Sequence, residues 1–289
     1  MRTGSLRNKT MFEERLRVQY QSLTKTQRKI ADFLLHNAEE AAFHSISGLA
    51  EALHTSTSNI FRLAKAIGYS GYPELQRDLQ KKIRQKISPV KALENSQEKD
   101  KGKDIYSIIF DMDARNLTST QELNSKETLD RAVKEIIAAR RVGLVGFRSS
   151  QAIAFLLSFF LGRVRKNCEL LDNWFGNLTN FLVNYGPKDL LVGISFPRYS
   201  RQTLEVLRYG KQAGCKVICL TDNPVSPVGQ ISDLVLLAGH KTSTYFNSFS
   251  SAVTLVNCLV AGVSLKNKKS LEALKSFDRI DNEWRYFLR

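Results

Sequence analysis

A chain of 289 residues that is 43% hydrophobic and 25% charged is long enough for two domains and has the balance of an ordinary folded protein. No apolar run approaches the ~18–20 residues of a membrane span, and the opening MRTGSLRNKT is polar and basic, so the expectation is a cytoplasmic protein with no membrane partner. The formal net charge of +15 points to an anionic partner, whether nucleic acid, anionic lipid or a phosphorylated metabolite.

The first third of the chain reads as helices only. Apolar residues recur at 30, 33, 34 and 35, then at 46, 49, 50 and 53, then at 60, 63, 64 and 67, each at helical spacing. This region is also the more basic one, with 15 Lys and Arg against 8 Asp and Glu over residues 1–90. Within it, SISGLAEALHTSTSNIFRLAKAIGYSGY predicts two short helices. Ser45 or Ser47 caps the first, which ends near Leu53; His54 and Thr55 turn the chain; Ser56 caps the second, which runs to Ile67 and stops at Gly68. That is helix-turn-helix geometry, in which the second helix enters the major groove of double-stranded DNA. Its exposed residues are expected to be Thr57, Ser58, Asn59, Phe61, Arg62 and Lys65, and the candidate DNA-contacting set adds the cap serines Ser45, Ser47 and Ser56, with Tyr69 at the exit. Asn suits adenine, Arg suits guanine, and hydroxyls suit either base edges or phosphate. A helical hairpin used only for packing would share the same spacing.

Residues 88–104, SPVKALENSQEKDKGKD, are polar, charged and poor in apolar periodicity, which predicts a linker. The expected organisation is an all-α domain over 1–87, the linker over 88–104, and an α/β domain over 105–289. Two helices are expected around 105–138. Short apolar runs then alternate with helical patterns: RRVGLVGF, KDLLVGISF, CKVICLT and DLVLLA predict strands, and CELLD a shorter one. Strands apolar on both faces and separated by helices predict a mainly parallel sheet with flanking helices. FNSFSSAVTLVNCLVAGVSL and KKSLEALKSFDRIDNEW are expected to close the chain as helices. Cys168, Cys215, Cys219 and Cys258 form no CxxC pair, and the four histidines have no ligand spacing with them, so no metal site and no cofactor are expected.

The stretch from Leu23 to the end of GYSGY and beyond, roughly residues 10–85, resembles the helix-turn-helix domain of the RpiR (also called MurR) family of bacterial transcriptional regulators. The caps, the Ile-Ser-Gly-Leu-Ala helix and the GYSGY exit carry the resemblance. Where the family usually has Thr-Val-x-Arg-Phe, this chain reads Asn59-Ile60-Phe61-Arg62-Leu63, which keeps Arg62. The resemblance implies a homodimer or homotetramer acting on a palindromic operator, with two such helices spaced about one turn of DNA apart. It also implies that residues from about 120 to 260 form a sugar isomerase (SIS) domain, a phosphosugar-binding fold.

Three turns carry that second resemblance: GFRSS at 146–150, SFPRYSRQT at 195–203 and TDNPVSPV after CKVICL. Hydroxyl residues sit where a helix begins, as anion recognition requires. In the third turn Ser226 before Pro227 reads as an ordinary helix cap. The first two depart from the family pattern. Arg148 takes a glycine position in GFRSS; in the second turn Ser195, Ser200 and Thr203 align with Arg201 at the glycine, and about three extra residues bring Pro197, Arg198 and Tyr199. A guanidinium offers phosphate or carboxylate a planar fork in place of close backbone approach. The candidate ligand set is therefore Arg148, Ser149, Ser150, Ser195, Arg198, Tyr199, Ser200, Arg201 and Thr203, for an anionic effector such as a phosphosugar or sugar acid. The alternative is a phosphosugar isomerase or binding protein with a helical appendage. Isomerisation needs a general base, and the candidates, Glu205 and His240, lie in no catalytic motif, so no enzyme is expected.

Overall fold

The computed structural model describes residues 11–86, 89–173 and 176–285. The basic opening stretch, where the first domain is expected to start, and the expected domain-to-linker junction at 87 and 88 lie outside the described residues. The chain divides into two compact units, Met1–Glu94 and Asn95–Arg289.

In the first unit the described residues form helices α1 (Met11–Gln19), α2 (Lys25–His36), α3 (Ala38–Ala41), α4 (Ile46–Ala52), α5 (Thr57–Ala66) and α6 (Tyr72–Lys86). The start of α2 is fixed by a capping box, in which Thr24 and Gln27 exchange side-chain and backbone hydrogen bonds. The periodic positions Ile30, Leu34, Leu49, Ile60 and Leu63 meet Leu75 and Leu79 of α6 in one core. Helix α6 also closes the α3–α4 turn: the Tyr72 hydroxyl donates to the carbonyl of His44 at 2.8 Å, and the Gln76 amide to the same carbonyl at 2.7 Å.

The expected linker contains a helix, α7 (Pro89–Lys99). PVKALENSQEK starts with a proline, which is favourable in the first helical turn, and continues with Lys, Ala, Leu and Glu, all good helix formers. None of its residues is buried. Poor apolar periodicity here marks a helix without a core face.

The second unit runs through α8 (Ile105–Leu123), α9 (Lys126–Ala138), β1 (Val142–Val145), α10 (Ser150–Val164), β2 (Cys168–Leu170), α11 (Leu178–Leu182), β3 (Leu190–Ile194), α12 (Arg201–Gln212), β4 (Lys216–Thr221), β5 (Leu234–Leu237), α13 (Ser250–Lys266) and α14 (Ser270–Glu283). All strand pairs are parallel, in the order β2-β1-β3-β4-β5, with Val142 opposite Leu190 and Leu190 opposite Lys216. Alternate strand residues feed two cores. Leu144, Val192 and Leu220 pack with Ile136, Leu157 and Val256 of α9, α10 and α13. Val145, Leu191 and Val217 pack with Leu182 of α11 and with Val206 and Leu207 of α12.

This arrangement creates a crevice. From β1 the chain leaves to α10 on one face, and from the neighbouring β3 it leaves to α12 on the other. Beyond the carboxyl ends of such a strand pair the two connections diverge, and parallel α/β sheets bind ligands there. The β4–β5 connection, by contrast, holds only a short 3-10 turn at Gly229–Ile231. Ser226 is fully buried in it and accepts the Gly229 N–H at 3.1 Å, a structural cap.

Candidate functional site

In the first unit the turn between α4 and α5 is made by His54 in the left-handed region at φ +49°. Of the two candidate caps for α4, Ser45 accepts the Gly48 N–H at 3.0 Å, and Ser47 lies exposed as the second residue of the helix. Ser56 accepts the Asn59 N–H at 3.3 Å and starts α5. Ile60, Leu63 and Ala64 turn inward, so Thr57, Ser58, Phe61, Arg62 and Lys65 form the exposed face of α5. Phe61 is 45% exposed, with the Lys65 ammonium 5.7 Å from its ring centroid.

Two residues of the expected DNA set sit elsewhere. Asn59 is half-buried, and its amide donates to the Thr55 hydroxyl at 3.0 Å, bracing the turn. Tyr69 is buried in the core. Its hydroxyl donates to Asp78 at 2.6 Å, and the Arg15 guanidinium lies 4.4 Å from its ring centroid. Burial and the Asp78 bond push its phenol well above the usual range. Its place is a packing position.

In the second unit the crevice beyond β1 and β3 is a cavity of about 760 Å³, inside the range of small-molecule sites. Arg148, Ser149 and Ser150 reach it from the start of α10, and Ser195, Arg198, Tyr199, Ser200 and Arg201 from the β3–α12 turn. Thr203 does not line it. That side chain is fully buried, and its hydroxyl accepts the Phe147 N–H at 3.3 Å, tying the two turns together. Ser195 Oγ accepts the Ser200 N–H at 3.3 Å, and Ser200 Oγ accepts the Thr203 N–H at 3.4 Å as the α12 cap.

The backbone revises one sequence reading. Arg148 has φ +59°, the left-handed conformation that glycine adopts without cost, as its alignment with a glycine implies. In the second turn, however, the left-handed residue is Arg198, at φ +68°, and Arg201 is the first residue of α12. The left-handed position thus lies three residues upstream of Arg201, the residue expected at the glycine.

Charge in the cavity has one sign. Its lining holds three guanidiniums and no carboxylate or imidazole. Among the described residues none of the three arginines forms an ion pair. Two helix starts add their positive ends. Behind the lining, the Tyr199 hydroxyl donates to Asp222 at 3.0 and 3.2 Å. Burial pushes the Asp222 carboxyl above its ordinary range, against the pull of His240 and of the Tyr199 bond. Glu205 is exposed on α12, 3.2 Å from Arg208.

Half of the wall escaped the sequence reading. Phe147, Phe196, Pro197 and Gln202 lie inside the quoted turns, but Tyr245, Phe246, Asn247 and Phe249 come from the β5–α13 connection. Phe246, Asn247 and Phe249 fall in the expected helix FNSFSSAVTLVNCLVAGVSL, which in the structure begins only at Ser250, and Tyr245 lies just before it. The signal available was YFNSF itself, three aromatics in five residues beside an apolar helix.

Residues 10–86 match the helix-turn-helix domain of the rpiR family, and residues 135–262 match the SIS domain. The solved sugar isomerase domain of an RpiR transcription factor from Sphaerobacter thermophilus is 31% identical, with 61% of this chain and 98% of that one covered and a TM-score of 0.58. The chain belongs to the RpiR family of transcriptional regulators. Among its relatives, the HTH-type transcriptional regulator HexR of Pseudomonas aeruginosa is 28% identical over 260 residues, 88% of this chain and 89% of the relative. Vibrio vulnificus NanR, solved in complex with ManNAc-6P, is 21% identical, with 95% of this chain and 98% of that one covered and a TM-score of 0.65, a likeness of fold. As in other RpiR-family proteins, the chain is a transcriptional regulator carrying a SIS domain. No helix among the described residues is long and apolar enough to cross a membrane.

Proposed function

We propose that this cytoplasmic regulator binds an anionic metabolite, a phosphosugar or related sugar acid, in the cavity between the α10 and α12 starts, and that binding changes its affinity for a palindromic operator. The observation that carries the reading is the convergence of Arg148, Arg198 and Arg201, unpaired with any carboxylate among the described residues, on one cavity with serine hydroxyls at two helix starts. An exposed arginine on a surface turn finds a carboxylate or bulk water; three aimed at one concavity favour a multiply acceptor-bearing anion. The phosphosugar bound by the structurally similar NanR supports the same class.

The proposed role is binding rather than conversion, in keeping with relatives named as transcriptional regulators. Aldose–ketose isomerisation needs a base within hydrogen-bond reach of the sugar carbon acid, and the lining offers hydroxyls, amides and guanidiniums only. In the first unit, Thr57, Ser58, Arg62 and Lys65 on α5 read and grip the major groove, with the chain acting as a homodimer or homotetramer so that two α5 helices address successive grooves. A gel shift with DNA upstream of the gene tests the first part, and a thermal-shift screen of phosphosugars and sugar acids the second. A chain that binds no DNA of its own neighbourhood, or that interconverts an aldose and a ketose phosphate, would sink the proposal.

A further inference from the structure

Helix α8 carries a polar stripe that neither the DNA-reading face nor the arginine turns use. Asp113, Asn116, Thr120 and Asn124 recur at spacings of three, four and four, so they share one helix face. The last three are buried, where amides and hydroxyls are costly unless paired. Their partners outside the helix lie on one stretch of chain, from the last residue of β5 into the connection to α13. Asn124 exchanges two bonds with the backbone of Leu237, at 2.6 and 2.9 Å. The Thr120 hydroxyl accepts the Gly239 N–H at 2.8 Å, and Asn116 exchanges two bonds with the backbone of Lys241, at 2.7 and 3.2 Å. A Cβ at Gly239 would stand 2.9 Å from the Asn116 Cα, so the glycine permits this close approach. Past the loop, the two oxygens of Asp113 accept the hydroxyls of Ser248 and Ser250, each at 2.5 Å.

The stripe thus clamps both ends of one excursion, residues 241–247. Its neck is closed by the Ser248 N–H donating to the His240 carbonyl at 3.0 Å. The excursion carries Tyr245, Phe246 and Asn247 to the effector cavity. On the cavity side, the Asn247 amide donates to the Pro197 carbonyl in the arginine turn at 3.3 Å. On the other side, the Ser96 hydroxyl of α7 donates to the Ser243 carbonyl. One loop therefore touches the anion-binding turn and both helices, α7 and α8, that follow the helix-turn-helix unit along the chain.

We infer that this clamped loop is the joint through which cavity occupancy reaches α8, with Asp113 as its positioning residue. The inference rests on the reading of the cavity as an effector site. A ligand that draws Tyr245 and Phe246 onto itself moves a segment whose two ends are fastened to α8, so α8 and the loop respond together. Coupling of this kind needs a contiguous element with two arrangements that the ligand binds unequally, and Asp113 is its most exposed and most separable fastening. It holds the downstream end by two side-chain bonds and touches neither the cavity nor the β5 backbone.

Amide hydrogen exchange on the full chain tests this with wild type and Asp113→Asn, each alone and with N-acetylmannosamine 6-phosphate or 6-phosphogluconate. Without sugar, Asp113→Asn is expected to raise exchange across 241–250 by about tenfold or more, since charge-assisted bonds are lost, while β1 and β3 amides stay unchanged and confirm the fold. With a sugar that binds, wild type is expected to gain protection in 146–150, in 195–203 and also in 113–124; in Asp113→Asn the two turns keep their protection and 113–124 loses it. Protection of the turns with no response in α8, or an equal α8 response in both proteins, overturns the coupling and leaves the effector reading standing. If neither sugar protects the turns, that result counts against the effector reading, and an unchanged 241–250 segment in sugar-free Asp113→Asn overturns the coupling by itself.

Discussion

Replacing Arg198 by glycine is expected to make the protein more stable and worse at its task. Arg198 sits at φ +68° with an exposed side chain. An L-residue in the left-handed region costs about 1–2 kcal/mol, and glycine removes that cost. Glycine also enlarges the unfolded ensemble, which offsets roughly 0.5–1 kcal/mol. Among the described residues the guanidinium makes no hydrogen bond that would be lost, so the net gain is about 0.5–1 kcal/mol, which raises Tm by about 1–2 °C for a chain of this size. The same change deletes a charge-assisted donor worth roughly 1.5–3 kcal/mol to a bound anion, so affinity for a phosphosugar that stabilises wild type should fall about 10- to 150-fold. Thermal unfolding and calorimetric titration on the same preparation read both effects. A destabilised variant would mean that the turn depends on contacts of the arginine, and unchanged anion affinity would remove Arg198 from the site. Arg148→Gly, at φ +59°, should behave alike. A strained residue that helps the ligand and hurts the fold is the expected mark of a functional position.

Arg62→Ala should weaken operator binding by about 1–3 kcal/mol, the worth of a good bidentate base contact, and leave thermal stability unchanged because the side chain is exposed; equal gel-shift affinity would take Arg62 out of base reading. Tyr69→Phe should lower stability by about 1 kcal/mol through the lost bond to Asp78, with DNA affinity unaltered; a selective loss of DNA binding would restore Tyr69 to the interface. Asp189 tests the electrostatics of the sheet's other end. Burial works to raise its pKa, but bonds from Arg140 at 2.6 and 2.9 Å, from Arg141 at 3.2 Å and from the Gly186 N–H at 3.0 Å outweigh it and hold the carboxyl at about 2. A carboxyl depressed on folding stabilises the native state fully above its unfolded pKa near 4, and that stability is lost as pH falls from about 4 towards 2. Its size is about 2 kcal/mol. Urea titrations should show Asp189→Asn destabilised at pH 7, with a shallower loss of stability on acidification; parallel pH curves for variant and wild type would refute the assignment.

What could be read in the sequence followed the reach of each physical signal. Local chemistry transferred well: Ser45, Ser56 and Ser200 cap the helices that their positions imply, and the β/α alternation yields the parallel sheet, since burial on both faces leaves a continuous apolar run. Tyr69 failed because an aromatic at a motif's exit reads the same whether its hydroxyl meets DNA or a carboxylate nine residues away. Helix α7 was not legible because periodicity detects a buried face, and that helix has none.

The cavity shows the same divide more sharply. Its arginine-bearing side lies in two turns that immediately follow strands, where the sequence itself announces a helix start, and eight of the nine candidate ligand residues line it, Thr203 being buried behind. Its aromatic half is held in place by amides and hydroxyls on α8, more than a hundred residues upstream of the loop they clamp. Nothing local to YFNSF says that it faces a ligand, and nothing local to Asp113, Asn116, Thr120 and Asn124 says that a helix otherwise poor in buried residues turns a polar stripe inward. Each half of that pairing looks like ordinary surface polarity, and only the fold brings them together. A long-range polar clamp also carries information that a hydrophobic contact would not. Apolar packing tolerates small slips, whereas paired amides and carboxylate oxygens hold one register and lose their bonds when it shifts.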